Sequence, residues 1–113
     1  MRRGEVWVAR LNPNQGREIG KTLPVLVIQA DELLALEDLP VIVLPLTSQV
    51  YPAFRHWRIT LPARDRLLKP CQIVVDQPHA LDRRRFDEGP LTTLTREEMQ
   101  AVERSLKAVM GML

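Results

Sequence analysis

Two short apolar runs constrain this chain more than anything else in it. Pro24-Val25-Leu26-Val27-Ile28-Gln29 and Pro40-Val41-Ile42-Val43-Leu44 are continuous stretches of mostly β-branched or leucine side chains, each opened by proline. Neither alternates, so each predicts a strand buried on both faces. Both fall far short of the ~18 apolar residues that a membrane-spanning helix needs. A proline at the first strand position is tolerated, because its missing N–H does least harm there.

Other strands group around these two. Glu5-Val6-Trp7-Val8-Ala9-Arg10-Leu11 reads as a strand ended by the turn formers Asn12-Pro13-Asn14-Gln15-Gly16. Trp57-Arg58-Ile59-Thr60-Leu61 alternates. Trp57, Ile59 and Leu61 are expected on one face, with Arg58 and Thr60 on a wet one. Cys71-Gln72-Ile73-Val74-Val75-Asp76-Gln77 reads as a fifth strand, ended by Pro78. One long helix is expected from Thr95. Thr95 and Glu98 have capping-box spacing, and Leu94 with Met99 can form the hydrophobic staple. Met99, Val102, Leu106, Val109, Met110 and Leu113 then recur at helical spacing, and Glu103 with Lys107 makes an i,i+4 pair. The expected fold class is mostly β with a C-terminal helix, an antiparallel sheet curled into a small barrel.

The length of 113 residues suits a single domain over 1–113. No signal-peptide core follows Met1-Arg2-Arg3-Gly4-Glu5, and one cysteine, Cys71, cannot form an internal disulfide. The expectation is a cytoplasmic protein with no membrane partner. Net charge is only +2, but it is uneven. Residues 39–75 carry Arg55, Arg58, Arg64, Arg66 and Lys69 against Asp65 alone. Such a surface can attract a polyanion without a large net charge, but on charge alone a solvated face of mixed sign is the plainer explanation.

Several chemistries are disfavoured. His56 and His79 share no motif, so no metal site is expected and no cofactor is implied. Gly16-Arg17-Glu18-Ile19-Gly20-Lys21-Thr22 resembles a phosphate-binding loop, but three residues separate its glycines where four are required. A strand pattern follows it, not a helix that could aim N–H groups at phosphate. What remains is a glycine-punctuated loop bearing Arg17, Glu18 and Lys21 between two strands. Hydroxyls and amides also stand at strand exits, in Leu46-Thr47-Ser48-Gln49 and in Asp76-Gln77.

These pieces, in this order, resemble the MazF/PemK family of toxin–antitoxin ribonucleases. The resemblance rests on Arg3-Gly4-Glu5-Val6-Trp7, Leu11-Asn12-Pro13, Gly16-x-Glu18-x-Gly20-Lys21-x-x-Pro24-Val25-Leu26-Val27, Pro45-Leu46-Thr47-Ser48-Gln49, Asp76-Gln77-Pro78 and Leu81-Asp82. The helix start Leu94-Thr95-x-x-Glu98-Met99-x-x-Val102 completes it. The resemblance implies an SH3-like barrel of the CcdB/PemK-like toxin fold, forming a homodimer with an RNA groove across its interface. It implies metal-independent, sequence-specific cleavage of single-stranded RNA, with the 2′-hydroxyl as nucleophile, and a cognate antitoxin whose disordered tail fills the groove. In that scheme Thr47 donates its hydroxyl to the phosphate, Arg17 and Lys21 hold phosphate, and Glu18 orients a cation or acts as base. Ser48, Gln49, Arg58, Asp76, Gln77 and His79 contact RNA.

The chain departs from the family at one key position. Most relatives that cut RNA carry arginine immediately before the proline of the second strand; here that residue is Leu23. Val74 likewise replaces an arginine of the PemK branch. Losing one charge-stabilising donor can cost about 10²–10³ in rate. Arg17 or Lys21 taking over, a weakened RNA- and antitoxin-binding dimer, and a divergent branch with another target are the alternatives. A gyrase poison of the CcdB kind would need the C-terminal helix to dock on a large enzyme, whereas Val109-Met110-Gly111-Met112-Leu113 reads as helix core.

Overall fold

The computed structural model describes residues 1–11 and 22–113. Their order is β1 (Glu5–Arg10), β2 (Thr22–Val27), a short helix α1 (Asp31–Leu34), β3 (Val41–Thr47), β4 (Ile59–Leu61), β5 (Cys71–Ile73), β6 (His79–Leu81), β7 (Phe86–Thr93) and the closing helix α2 (Arg96–Val109). All pairings are antiparallel, in the order β4-β5-β3-β2-β1-β7 with β6 also on β3.

β3 is what curls the sheet. Along one edge its first half pairs with β6, Val41 to Val43 opposite Leu81 to His79. Its last two residues, Leu46 and Thr47, pair instead with Ile73 and Gln72 of β5. Pro45 lies between the two segments, where β3 changes partner. The sheet's two faces then bury separate clusters. Val6, Leu26, Leu44, Leu46, Leu61 and Ile73 pack with Met99 and Val102 of α2. Ala9, Val25, Val27, Val41, Val43 and Leu81 fill the opposite side, against Trp7 and Phe86. Leu26 and its neighbours Val25 and Val27 face different cores, as a strand covered on both sides requires.

The helix begins as its sequence predicts. Glu98 N–H donates to Thr95 Oγ1 at 3.1 Å and Thr95 N–H donates to the Glu98 carboxylate at 2.8 Å, closing the capping box. Leu94 and Met99 are buried together. Glu103 forms an ion pair with Arg3 at 2.9 Å, tying α2 to the chain start.

Several expectations are corrected. β2 starts at Thr22, so Pro24 is its third residue, opposite Val8 on β1 and just before the ladder with β3, which covers Val25–Val27. The fourth strand is only Ile59–Leu61. Trp57 lies before it in a turn, 38% exposed, because Trp57 and Arg58 N–H groups both donate to the Phe54 carbonyl. The fifth strand stops at Ile73, and Val74–Gln77 is a turn closed by Gln77 N–H on the Val74 carbonyl. The chain end is not helix core: Met110, Met112 and Leu113 are exposed, Leu113 by 84%. β6 and β7 come from segments with no strand signature. β7 contains Asp87-Glu88-Gly89-Pro90, which reads as a turn. It holds an edge position against β1 with register shifts, where proline and glycine are tolerated. Gly89 is required there, since a Cβ would stand 2.3 Å from the Trp7 ring. Among the described residues no helix is long and apolar enough to cross a membrane.

Candidate active site

The exit of β3 opens into a cleft of about 560 Å³. Thr47 lines it from the end of β3 and Ser48 from just beyond, Gln77 from the turn after β5, and Lys69 from the connection between β4 and β5. Leu11 and Thr22 also line it. In sequence these two residues flank 12–21, the stretch that carries Arg17, Glu18 and Lys21. Those three residues lie outside the described residues.

Thr47 is held in place by its own backbone. Gln49 N–H donates to Thr47 Oγ1 at 3.1 Å. That bond uses an oxygen lone pair and fixes the side-chain rotamer. The hydroxyl hydrogen is left to donate elsewhere. A backbone-capping role and a phosphate-binding role for Thr47 are therefore compatible rather than exclusive. Lys69 stands at the same cleft and is exposed, with no ion-pair partner among the described residues. The strand pattern gave no hint of Lys69 beyond its membership of a basic stretch. It arrives through the long 62–70 connection, which folds under the β3 exit.

Leu23 and Val74 are both in the cleft. Leu23 pairs with Ala9 on β1. The two positions where the family places arginine are thus spatial neighbours of Thr47 and apolar. The cleft's other apolar lining includes Pro24, Leu46 and Cys71. Burial pushes the Cys71 thiol up from its ordinary value, and its S–H donates to the Lys69 carbonyl at 3.4 Å. A thiol kept neutral in this way is a poor nucleophile.

The remaining sequence-predicted residues divide. Gln49 is adjacent, its side-chain carbonyl accepting from the Tyr51 hydroxyl at 2.8 Å. Arg58 does not project into solvent as an alternating wet face would have it. It lies over the Phe54 ring at 4.6 Å and pairs with Asp76 at 3.7 Å, its side chain only 12% exposed. Asp76 is therefore partnered by a cation rather than poised alone. His79 is separate: on β6 it stands opposite Val43, four residues up β3 from Thr47, roughly 13 Å along a strand. Among the described residues no group of three histidine, cysteine or carboxylate side chains could hold a metal ion.

One functional-looking residue was unreadable in advance. Gln72, fully buried, donates to the Tyr51 carbonyl at 3.0 Å and accepts from Tyr51 N–H at 3.4 Å. In sequence it is one polar residue in an apolar strand.

Comparisons with known proteins agree over nearly the whole chain. Residues 2–110 match the model of the family described as PemK-like, MazF-like toxin of type II toxin-antitoxin system. The Endoribonuclease MazF of Staphylococcus saprophyticus is 32% identical over 113 residues, spanning 99% of this chain and 92% of that protein. Among solved structures, a MazE-MazF crystal structure (Form-III) from Deinococcus radiodurans superposes with a TM-score of 0.78 at 22% identity, covering 100% of this chain and 98% of that one. The Mycobacterium tuberculosis toxin MazF-mt6 gives 0.77 at 16% identity, covering 96% and 98%. At these identities the superpositions establish the fold: a mostly β, curled sheet closed by a C-terminal helix.

Proposed function

The chain belongs to the PemK-like, MazF-like toxin family of type II toxin–antitoxin systems, and from that premise we propose that it is a cytoplasmic endoribonuclease cutting single-stranded RNA without a metal. The observation that carries this reading is the cleft at the β3 exit, which gathers Thr47, Ser48, Gln77 and Lys69 with Leu11 and Thr22.

The chemistry needs a base, a proton donor and positive or hydrogen-bonding groups around a pentacoordinate phosphorus. The 2′-oxygen attacks phosphorus and gives its proton to a base, the role of Glu18. The bond from phosphorus to the 5′-oxygen breaks, and that oxygen takes up a proton from solvent. A 2′,3′-cyclic phosphate and a 5′-hydroxyl remain. Thr47 O–H and the cations Arg17, Lys21 and Lys69 meet the charge that builds on the non-bridging oxygens. Gln77, Ser48 and Gln49 position bases or backbone beside it. A homodimer with the RNA groove across its interface, and an antitoxin whose tail competes for that groove, belong to the same reading.

The direct test is cleavage of single-stranded RNA in EDTA. Cyclic-phosphate ends should appear, and Thr47→Ala should lower the rate about 10²-fold with an unchanged melting curve. Cleavage that vanishes in EDTA and returns with magnesium would sink the mechanism. A rate unchanged by Thr47→Ala would remove that residue from the site.

Leu23 favours a second reading. With leucine lining the cleft where relatives place arginine, the protein would bind RNA and antitoxin yet cut slowly.

A further inference from the structure

The chain has only five aromatic residues, two Trp, one Tyr and two Phe. Trp7 and Phe86 pack edge to face against one core, at 6.5 Å. The other three stand together on the surface between β3 and β4. Tyr51 and Phe54 have ring centroids 5.3 Å apart, and so have Phe54 and Trp57. Tyr51 is 44% exposed and Trp57 38%. Basic groups interleave with the rings. Arg55 and His56 are exposed, and the Arg58 guanidinium covers Phe54. An aromatic-poor chain thus places most of its rings on one exposed, basic segment, where core packing gives no reason for them.

The segment is held by hydrogen bonds and follows directly on the cleft residues Thr47 and Ser48. Phe54 N–H donates to the Tyr51 carbonyl at 2.9 Å, and Arg58 N–H to the Phe54 carbonyl at 2.8 Å. The buried Gln72 amide clamps both backbone groups of Tyr51. The Ser105 hydroxyl of α2 donates to the Trp57 carbonyl. At the near end, the Tyr51 hydroxyl reaches Gln49, whose N–H fixes Thr47.

We propose that Tyr51, Phe54 and Trp57 form a stacking platform for unpaired bases of the RNA strand as it leaves the cleft. This rests on the endoribonuclease reading and extends it to a base-binding subsite. The centroid spacing leaves no room for a base between neighbouring rings, so bases stack on the exposed end rings, Tyr51 and Trp57. Arg55 and His56 meet the backbone phosphates alongside. Stacking of this kind is tolerant of base identity but requires a base.

That requirement supplies the test. Binding is measured to a random-sequence pool of 2′-fluoro RNA about twelve nucleotides long, which has no attacking hydroxyl, and to an abasic oligonucleotide of equal length and charge. The wild-type protein should prefer the base-bearing pool by tenfold or more, on the order expected for stacked bases. Trp57→Leu should remove about tenfold of that affinity while abasic binding stays unchanged, and Trp57→Tyr should retain it. Only the carbonyl of Trp57 bonds Ser105, so the backbone link survives either change. Tyr51→Leu gives a second reading at the other end of the platform. Leucine variants that keep the wild-type preference, or a wild-type protein with no preference, would overturn the platform alone. A wild-type protein that binds neither oligonucleotide would overturn the RNA reading and the platform with it.

Discussion

At the scale of single residues, the cleft turns on Leu23. It lines the same cleft as Thr47, and β2 begins two residues earlier than the apolar run suggests, which puts Leu23 inside the strand and opposite Ala9. A guanidinium at this point would face the same space as the Thr47 hydroxyl. Leu23→Arg is therefore expected to raise the cleavage rate about 10²-fold, measured under single-turnover conditions, while Leu23→Met leaves it unchanged. No gain from the arginine, together with loss of cleavage in Arg17→Ala, would mean that the cations of 12–21 already do this work. Thr47, Ser48 and Gln77 were legible as candidates because they stand where apolar strands end, and all three line the same cleft. Lys69 was not, since its place depends on how a long connection folds rather than on any local pattern. The wet-face placement of Arg58 failed for a related reason: alternation set its face, but stacking on Phe54 and the Asp76 ion pair decided where its charge went.

Between elements, the join of α2 to the sheet is the best-defined energetic feature. Arg64 grips the Glu98 carboxylate with two bonds, at 2.7 and 2.8 Å, and also reaches Thr92 Oγ1 and the Thr93 carbonyl on β7. The same carboxylate caps the helix through Thr95 N–H. The Arg64 bonds, followed by that capping bond, hold the Glu98 carboxyl below its ordinary value against the opposing effect of burial. A carboxylate whose folded pKa is depressed contributes stability above its unfolded value, near 4.3, and loses it as pH falls through the folded value. Glu98→Gln should cost about 2 kcal/mol at pH 7, from lost charge-assisted bonds and a weaker cap. The gap from wild type in urea melts should close as pH falls below about 4; a gap that stays constant would show that charge has no part in it. The cap itself was plain in sequence, because Thr95 and Glu98 are three residues apart. Arg64 was not, because its partner is thirty-four residues away. β7 was hidden for a third reason. Its fit depends on Trp7 covering Gly89, a contact between distant segments that turn-like composition conceals.

At the scale of the molecule, a net charge of +2 cannot by itself draw in a polyanion. Much of the positive charge is also spent within the fold. Arg3, Arg10, Arg58, Arg64, Arg66 and Arg84 each pair with a carboxylate. Lys69 at the cleft and Arg55 on the aromatic segment have no such partner among the described residues. RNA affinity in this protein should therefore come from a few local phosphate contacts rather than from a long-range field. Each phosphate contact on a single strand contributes about 0.7 to the slope of log affinity against log salt. Lys69→Ala should accordingly weaken binding to uncleavable RNA and make that slope shallower by about 0.7. Replacing a cation that makes no phosphate contact should leave the slope nearly unchanged. Titrations at several salt concentrations separate the two, and an unchanged slope would place the phosphate path away from Lys69.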